Sequence, residues 1–156
     1  MTGCLISVAV ATPDLDRELD GLAQLGVQII ETDAAGAVYV QEHSDLIAFP
    51  DDPPYLLRFG PAATPADLID RTRELPDGAV FFASGAGPSA LPITLTALAT
   101  GGHLRTGVAD CPEYAPGEPT RNAVQLAARL VGLAKIAQRP PLTIAEARDL
   151  LGVVRA

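Results

Sequence analysis

The sequence predicts one α/β domain, residues 1–156, in which five parallel strands alternate with helices. Short apolar, partly β-branched runs alternate along the chain with segments whose leucines and alanines have helical spacing. Capping residues, glycines and prolines separate these segments at short intervals. A hydrophobic content of 48% over 156 residues suffices for one buried core, and no linker or charged block divides the chain.

The first βα unit is predicted from residues 5–11, an apolar run with the pattern of a strand that is covered on both faces. The Thr-Pro-Asp sequence at 12–14 then supplies a cap, a proline and an acid, which begin a helix that Gly26 ends. Residues 27–32 are predicted as the second strand, and Glu31 lies near its carboxyl end.

Residues 37–46 allow two interpretations, because Ala-Val-Tyr-Val favours a strand, whereas the interval before the next strand suits a crossover helix. We predict a helix there. The third strand is predicted at 55–59, and the Thr-Pro-Ala-Asp sequence at 64–67 is a capping signature for the helix that follows it. The fourth strand is predicted at 79–83, and a loop of small residues, 84–89, follows it.

The last strand and its flanking helices complete the alternation. A helix is predicted at 90–100, and the fifth strand follows at 103–108. Thr120 is predicted to cap a long helix with a wide apolar face. Thr143 begins a capping box for a short final helix that ends near Gly152.

Charge and composition exclude several classes of partner. The net charge of −8, with only 11 lysines and arginines and no basic stripe, argues against nucleic acid and anionic membranes as partners. The first apolar run is too short for a bilayer and lacks the features of a signal peptide, so we expect a cytoplasmic protein. Cys4 and Cys111 are predicted at opposite ends of the sheet, which argues against a disulfide.

Arg105 is a charged residue inside an otherwise apolar strand. A buried guanidinium without a partner would be strongly destabilising, so Arg105 needs a carboxylate or a ligand. Asp110 follows the same strand, at the edge of a parallel sheet where α/β proteins keep their ligands. Asp110 or Glu31 could be the partner, and both a ligand-binding site and an internal ion pair remain open.

The loop after the fourth strand contains Ser84, Gly85 and Gly87 and leads into a helix. Its backbone N–H groups could therefore bind a phosphate or another anion, although a plain strand-to-helix turn explains the same residues. The two histidines, His43 and His103, form no HxH or HxxxH pair, so we expect no zinc site from this chain alone. We predict a structural role for His103 and a solvated position for His43.

Motifs in the last third of the chain resemble those of a known enzyme family. They are Gly-Gly-His-Leu-Arg-Thr-Gly at 101–107, Asp110, Asn-Ala-Val-Gln-Leu at 122–126 and Thr-Ile-Ala-Glu-Ala-Arg-Asp-Leu-Leu-Gly at 143–152. Together they resemble the β-keto acid cleavage enzymes. Weaker likeness upstream, at 91–92, 64–68 and 25–26, extends the resemblance to nearly the whole chain. The resemblance implies the fourth to eighth strands of a zinc-dependent (β/α)8 barrel, which cleaves a 3-keto acid with acetyl-CoA.

The resemblance also implies roles for individual residues. Arg105 and Asp110 match residues that orient and deprotonate the keto acid, and Glu31 matches the acid that ends the fifth strand. The family's HxH ligands after the second strand have no counterpart, and its ligand glutamate falls on Ala109. Its basic and amide residues after the seventh strand fall on residues 88–90. Without zinc, the electrophile that stabilises the enolate would be lost.

Five strands of an eight-stranded barrel form an incomplete TIM-barrel-like domain, and the alternative is an open doubly wound sheet. In the incomplete barrel the first and last strands have unpaired edges. We therefore expect a homo-oligomer such as a homodimer, or a partner chain that supplies the missing strands.

Three functions are consistent with the sequence. The chain could bind a small carboxylate or an acyl-CoA without zinc, through Arg105, Asp110 and the loop at 84–87. It could instead cleave β-keto acids with metal ligands from a partner chain, or it could be a non-catalytic structural or regulatory protein. The first two of these functions allow a CoA thioester as the cofactor.

Overall fold

A computed structural model describes residues 3–32, 37–40, 46–48 and 54–152. The strands are β1 (Ile6–Val10), β2 (Ile29–Thr32), β3 (Ala37–Val40), β4 (Leu46–Ala48), β5 (Tyr55–Phe59), β6 (Phe81–Gly85), β7 (His103–Gly107), β8 (Glu113–Ala115) and β9 (Glu118–Pro119). The helices are α1 (Leu15–Gln24), α2 (Pro65–Arg73), α3 (Ala90–Ala99), α4 (Ala123–Ile136) and α5 (Ile144–Leu151).

Seven of these strands form one sheet, in the order β4-β3-β2-β1-β7-β6-β5. Five of them, from β2 to β5 across the sheet, run parallel, whereas β3 and β4 extend the sheet in antiparallel fashion beyond β2. The predicted α/β class with five parallel strands is therefore confirmed. The described strands do not close into a barrel, and β4 and β5 are the outer strands of this sheet.

The order of the parallel strands differs from the prediction. β1 and β7, the first and last parallel strands in the chain, pair with each other at the centre of the sheet, with Ser7 opposite Arg105. The expectation that these two strands have unpaired edges is therefore wrong. In a closed eight-stranded barrel the last strand pairs with the first. The observed order is consistent with an incomplete barrel or with an open doubly wound sheet.

The helix predicted at 37–46 is also wrong. Residues 37–40 form β3, which pairs antiparallel with β2, and 46–48 form β4, which pairs antiparallel with β3. The intervening residues 41–45, which include His43, lie outside the described residues. The β propensity of Ala-Val-Tyr-Val prevails because the open edge of β2 supplies backbone partners.

The helices cover the two faces of the sheet unequally. Ile6, Val8 and Val10 alternate along β1 and belong to the main core, which lies between the sheet and helices α1 to α4. On the opposite face, Leu5 packs in a second cluster that includes Ala147 of α5. This cluster lies at the amino end of the strands, so the carboxyl end of the second face is left for polar side chains.

Helix caps follow the sequence closely. The predicted capping boxes are confirmed at α2, with Thr64 and Asp67, and at α5, with Thr143 and Glu146. In each box the threonine side chain bonds the backbone of the acid, and the acid side chain bonds the backbone of the threonine. At α4 the predicted cap Thr120 donates instead to a backbone oxygen. Asn122 is the N-cap of α4, and its Oδ1 accepts the Gln125 N–H at 2.8 Å.

Cys4 and Cys111 are free and buried, as predicted, at opposite ends of the central strand pair. Burial raises the pKa of the Cys4 thiol to about 11, which keeps this sulfur protonated and unreactive at neutral pH. Among the described helices, no segment is long and apolar enough to cross a membrane.

His103 opens β7 at the amino end of the sheet, the position that the sequence predicts to be structural. Its Nδ1 accepts the Leu5 N–H at 3.0 Å, and its ring lies 5.5 Å from that of Phe82. Burial lowers the pKa of the imidazole from 6.5 to about 4, and the positive charge of Arg139 adds to the effect. The neutral ring is thus the form that the fold requires.

Acidification is expected to weaken the fold through His103. The folded-state pKa is the lower one, so the unfolded chain binds more protons between pH 6.5 and about 4. The contribution of the neutral His103 ring to the free energy of unfolding is complete above pH 6.5. It falls by about 3 kcal/mol as the pH drops to about 4. Urea unfolding at several pH values measures this slope. His103→Asn retains an acceptor for Leu5 without titrating, so an unchanged slope in this variant would contradict the assignment.

Candidate active site

A cavity of about 780 Å³ opens at the carboxyl ends of β1, β2 and β7. Parallel α/β sheets keep their ligands at this edge. Among the described residues, the charged lining consists of four acids and four arginines: Asp14, Glu18, Glu31, Asp110, Arg17, Arg58, Arg105 and Arg121. These described side chains are balanced in charge, although the chain as a whole carries −8.

Arg105 lies at the floor of the cavity, with a side chain that is only 8% exposed. Its Nε contacts both carboxylate oxygens of Glu31, at 3.0 and 2.8 Å, and its Nη1 donates to Asp110 Oδ2 at 2.8 Å. Both candidate partners from the sequence therefore bind the same guanidinium. One buried guanidinium thus binds both carboxylates, so each acid has a cationic partner.

Ser7 fixes the orientation of Glu31. The strand register places Ser7 beside Arg105, and its hydroxyl donates to Glu31 Oε1 at 2.5 Å. Beside this network the neighbouring strands β1 and β7 carry small residues, Ala9 and Gly107. A Cβ at Gly107 would lie only 2.9 Å from the Cβ of Ala9. The close approach of β1 and β7 at this level therefore requires glycine, and the absence of larger side chains leaves room for a ligand.

Arg58 is a site residue that the sequence interpretation missed. It lies on the outer strand β5, its side chain is 59% exposed, and its Nη2 donates to Asp110 Oδ1 at 3.0 Å. Asp110 is thus held between two guanidinium groups, one buried and one exposed. The available signal was the same as for Arg105: an arginine within an apolar strand, near its carboxyl end.

The rim of the cavity is formed by α1 and the start of α4. Arg17 pairs with Asp14, and Glu18, which is 6% exposed, accepts the Val124 N–H at 3.1 Å. Glu18 therefore supplies a negative charge at the positive end of the α4 dipole. Arg121 is exposed, and its side chain has no partner within the described part of the chain.

The segment with Ser84, Gly85 and Gly87, of which the first two belong to β6 rather than to the predicted loop, lies outside the lining of this cavity. Its backbone is used internally: the Gly87 N–H donates to the Asp110 carbonyl at 2.8 Å, and the Ala86 N–H donates to Ser89 Oγ at 3.0 Å. A Cβ at Gly85 would lie 2.6 Å from Ser89, so this glycine allows close packing. Anion binding by this loop stays a prediction.

The described residues do not fit a zinc site. Within residues 3–32, 37–40, 46–48 and 54–152, no three His, Cys, Asp or Glu side chains cluster as metal ligands. Glu31 and Asp110 are occupied by the Arg105 guanidinium, and Ala109 brings only a methyl group to the cavity. His103 lies at the opposite end of its strand. We therefore assign no chemical step to a metal held by these residues.

The fold and the cavity define an α/β protein with a charged pocket at the carboxyl edge of a parallel sheet. Residues 55–153 match the family model of the beta-keto acid cleavage enzymes, and the chain belongs to this family. The resemblance seen in the sequence is confirmed. Arg58, Arg105 and Asp110 lie inside the matched region, whereas Glu31 lies before it.

Two characterised relatives have the same description. The chain is 36% identical over 94 residues to the 3-keto-5-aminohexanoate cleavage enzyme of Acetoanaerobium sticklandii. The matched stretch covers 60% of this chain and 34% of that protein. It is 29% identical over 92 residues to the enzyme of the same name from Fusobacterium nucleatum, with 59% and 34% covered. The matched part of the chain thus spans about a third of the length of these relatives.

Proposed function

We propose that the cavity binds a small 3-keto carboxylic acid, and that Arg58 receives the carboxylate of this ligand. The observation that supports the proposal most directly is the Arg58–Asp110–Arg105 arrangement. A buried arginine fixes one side of Asp110, and an exposed arginine contacts its other oxygen at 3.0 Å. The names of the relatives, which act on a 3-keto acid, support the choice of ligand class.

The two arginines differ in what they can offer a ligand. Arg105 is buried and already uses Nε and Nη1, and displacing it would leave Glu31 and Asp110 without their cation. Arg58 is mostly exposed, and ion pairs of such arginines contribute only about 0–1 kcal/mol. A ligand carboxylate can therefore replace Asp110 as the partner of Arg58 at little cost. The planar guanidinium fits a carboxylate with two parallel hydrogen bonds.

Asp110 is the group placed to act on the bound ligand. Its carboxylate lines the cavity beside Arg58, and Arg105 orients it through Oδ2. Once a ligand occupies Arg58, Asp110 Oδ1 is free to accept a proton or a hydrogen bond from the ligand's acidic carbon or hydroxyl. In this proposal Arg105, Glu31 and Ser7 are positioning residues, since they hold Asp110 and do not need to contact the ligand.

Removal of the Arg58 charge is expected to weaken ligand binding. In Arg58→Gln the affinity for acetoacetate should fall about tenfold or more, because charge-assisted hydrogen bonds to the carboxylate are lost. Calorimetric titration of the whole chain measures this, and thermal unfolding in excess acetoacetate provides a second readout. The matched control is Arg73→Gln, an exposed arginine on α2 that has the same charge change.

Two results would contradict this function. If saturating acetoacetate does not stabilise the wild-type chain, the cavity does not bind this ligand class. If Arg58→Gln binds acetoacetate as tightly as Arg73→Gln does, another group receives the carboxylate. If acetoacetate binds both variants as tightly as the wild type, the cavity binds this ligand but Arg58 is not part of its site.

A further inference from the structure

Arg121 differs from every other charged residue that lines the cavity. The four acids each have a partner: Asp14 pairs with Arg17, Glu18 with a backbone N–H, Glu31 with Arg105, and Asp110 with both Arg105 and Arg58. Arg17, Arg58 and Arg105 are the cations in these pairs. The side chain of Arg121 has no partner among the residues that the structure describes, so within this lining it is the one guanidinium without a carboxylate.

The backbone of Arg121 is held in place although its side chain is exposed. Its N–H donates to Gln125 Oε1 at 2.8 Å, which couples it to the first turn of α4. Arg121 therefore belongs to a helix entry rather than to a free loop. It lies on the α4 side of the cavity, whereas Arg58 lies on the outer strand β5. A ligand that contacts both must have an anionic group at each end.

The donors that remain near Arg121 favour a carboxylate over a phosphate. The Val124 N–H is taken by Glu18, and the Gln125 N–H is taken by Asn122 Oδ1. The first turn of α4 therefore lacks the group of free N–H donors on which helix termini bind phosphate. A single planar guanidinium remains, and its geometry suits a carboxylate. The volume of about 780 Å³ lies within the usual range for a small-molecule pocket.

From these observations we propose that the cavity selects dicarboxylic 3-keto acids, with one carboxylate on Arg58 and the second on Arg121. The proposal rests on the proposed function, because it assumes that Arg58 binds the first carboxylate. It makes Arg121 a specificity-determining residue. A monocarboxylic keto acid would use Arg58 alone and leave Arg121 to solvent.

The test compares acetoacetate with 3-oxopentanedioate, which adds a second carboxylate to the same 3-keto acid. Calorimetric titration of the whole wild-type chain should show about tenfold or higher affinity for the dicarboxylate. In Arg121→Gln this preference should disappear, while the affinity for acetoacetate stays within about twofold. In Arg73→Gln, which has the same charge change away from the cavity, the preference should remain.

The outcomes separate this inference from the proposed function. If neither keto acid binds, the proposed function fails. If both bind equally to the wild-type chain, or if Arg121→Gln weakens both to the same extent, the dicarboxylate assignment is wrong while the keto-acid site stands. Inorganic phosphate is the third probe: if it competes with 3-oxopentanedioate at equal concentration in wild type but not in Arg121→Gln, Arg121 belongs to a phosphate site instead.

Discussion

Replacement of Arg105 with glutamine is expected to lower the free energy of unfolding by about 3–5 kcal/mol, the range seen when one partner of a buried ion pair is removed. The arginine is 8% exposed and binds two carboxylates that are 17% and 20% exposed. Without it, Glu31 would lose its cation, and Asp110 would keep only the exposed Arg58. Urea unfolding of the variant and the wild type measures the loss.

A second substitution shows whether the loss comes from the ion-pair network. In Arg105→Gln/Glu31→Gln the carboxylate that has lost its cation is removed, so the double variant should be more stable than Arg105→Gln alone. Arg71→Gln provides the control, because its exposed pair with Glu74 should change stability by less than about 1 kcal/mol. Equal stability of the single and double variants would indicate that packing of the arginine stem, not charge, holds the site together.

The local elements of the fold could be predicted because each has its own signal. The third strand was predicted at the residues that form it, and the capping boxes that begin α2 and α5 are those seen in the sequence. Strand order could not be predicted in the same way, because it depends on pairings between residues about a hundred positions apart. Ser7 and Arg105 pair across the central strands, and no local pattern carries that information.

The site was predicted in part for a similar reason. Arg105, Asp110 and Glu31 were identified because a charged residue in an apolar strand needs a partner, and the structure brings all three together. The resemblance placed Glu31 on a fifth strand. In the structure Glu31 lies on β2, which is next but one to β7 across the sheet.

Arg58 lies between Leu57 and Phe59 in an otherwise apolar strand, but no carboxylate near it in the sequence pointed to a shared site. Its contact with Asp110 depends on how β5 is placed across β6 and β7, which is again a property of strand order. Glu18 on α1 and Arg121, just before α4, likewise reach the cavity through tertiary packing that no local pattern shows. Sequence reasoning thus found the residues of one strand end and missed those that other elements bring to it.

Removal of the Arg139 side chain is expected to cost as much stability as removal of Arg105, although Arg139 is remote from the cavity. Its Nη1 donates to the carbonyls of Leu98 and Gly102, at 3.2 and 2.6 Å, and its Nη2 donates to those of Gly3 and Gly101, at 3.1 and 3.2 Å. One guanidinium thereby joins the end of α3, the entry to β7 and the segment before β1.

Arg139→Ala should lower the free energy of unfolding by about 3 kcal/mol or more, since hydrogen bonds to a charged donor contribute about 1.5–3 kcal/mol each and four carbonyls lose this partner. Arg139→Lys keeps the positive charge at the carboxyl end of α3 but cannot reach all four oxygens, so its loss of stability should be intermediate.

Arg71→Ala is the exposed control. Urea unfolding ranks the three variants, and a loss in Arg139→Ala no larger than in Arg71→Ala would show that the carbonyl contacts do not hold the amino end of the sheet together. Because Arg139 lies far from Asp110, ligand affinity measured on the folded Arg139→Lys variant should match that of the wild type, which separates stability of the sheet from function of the site.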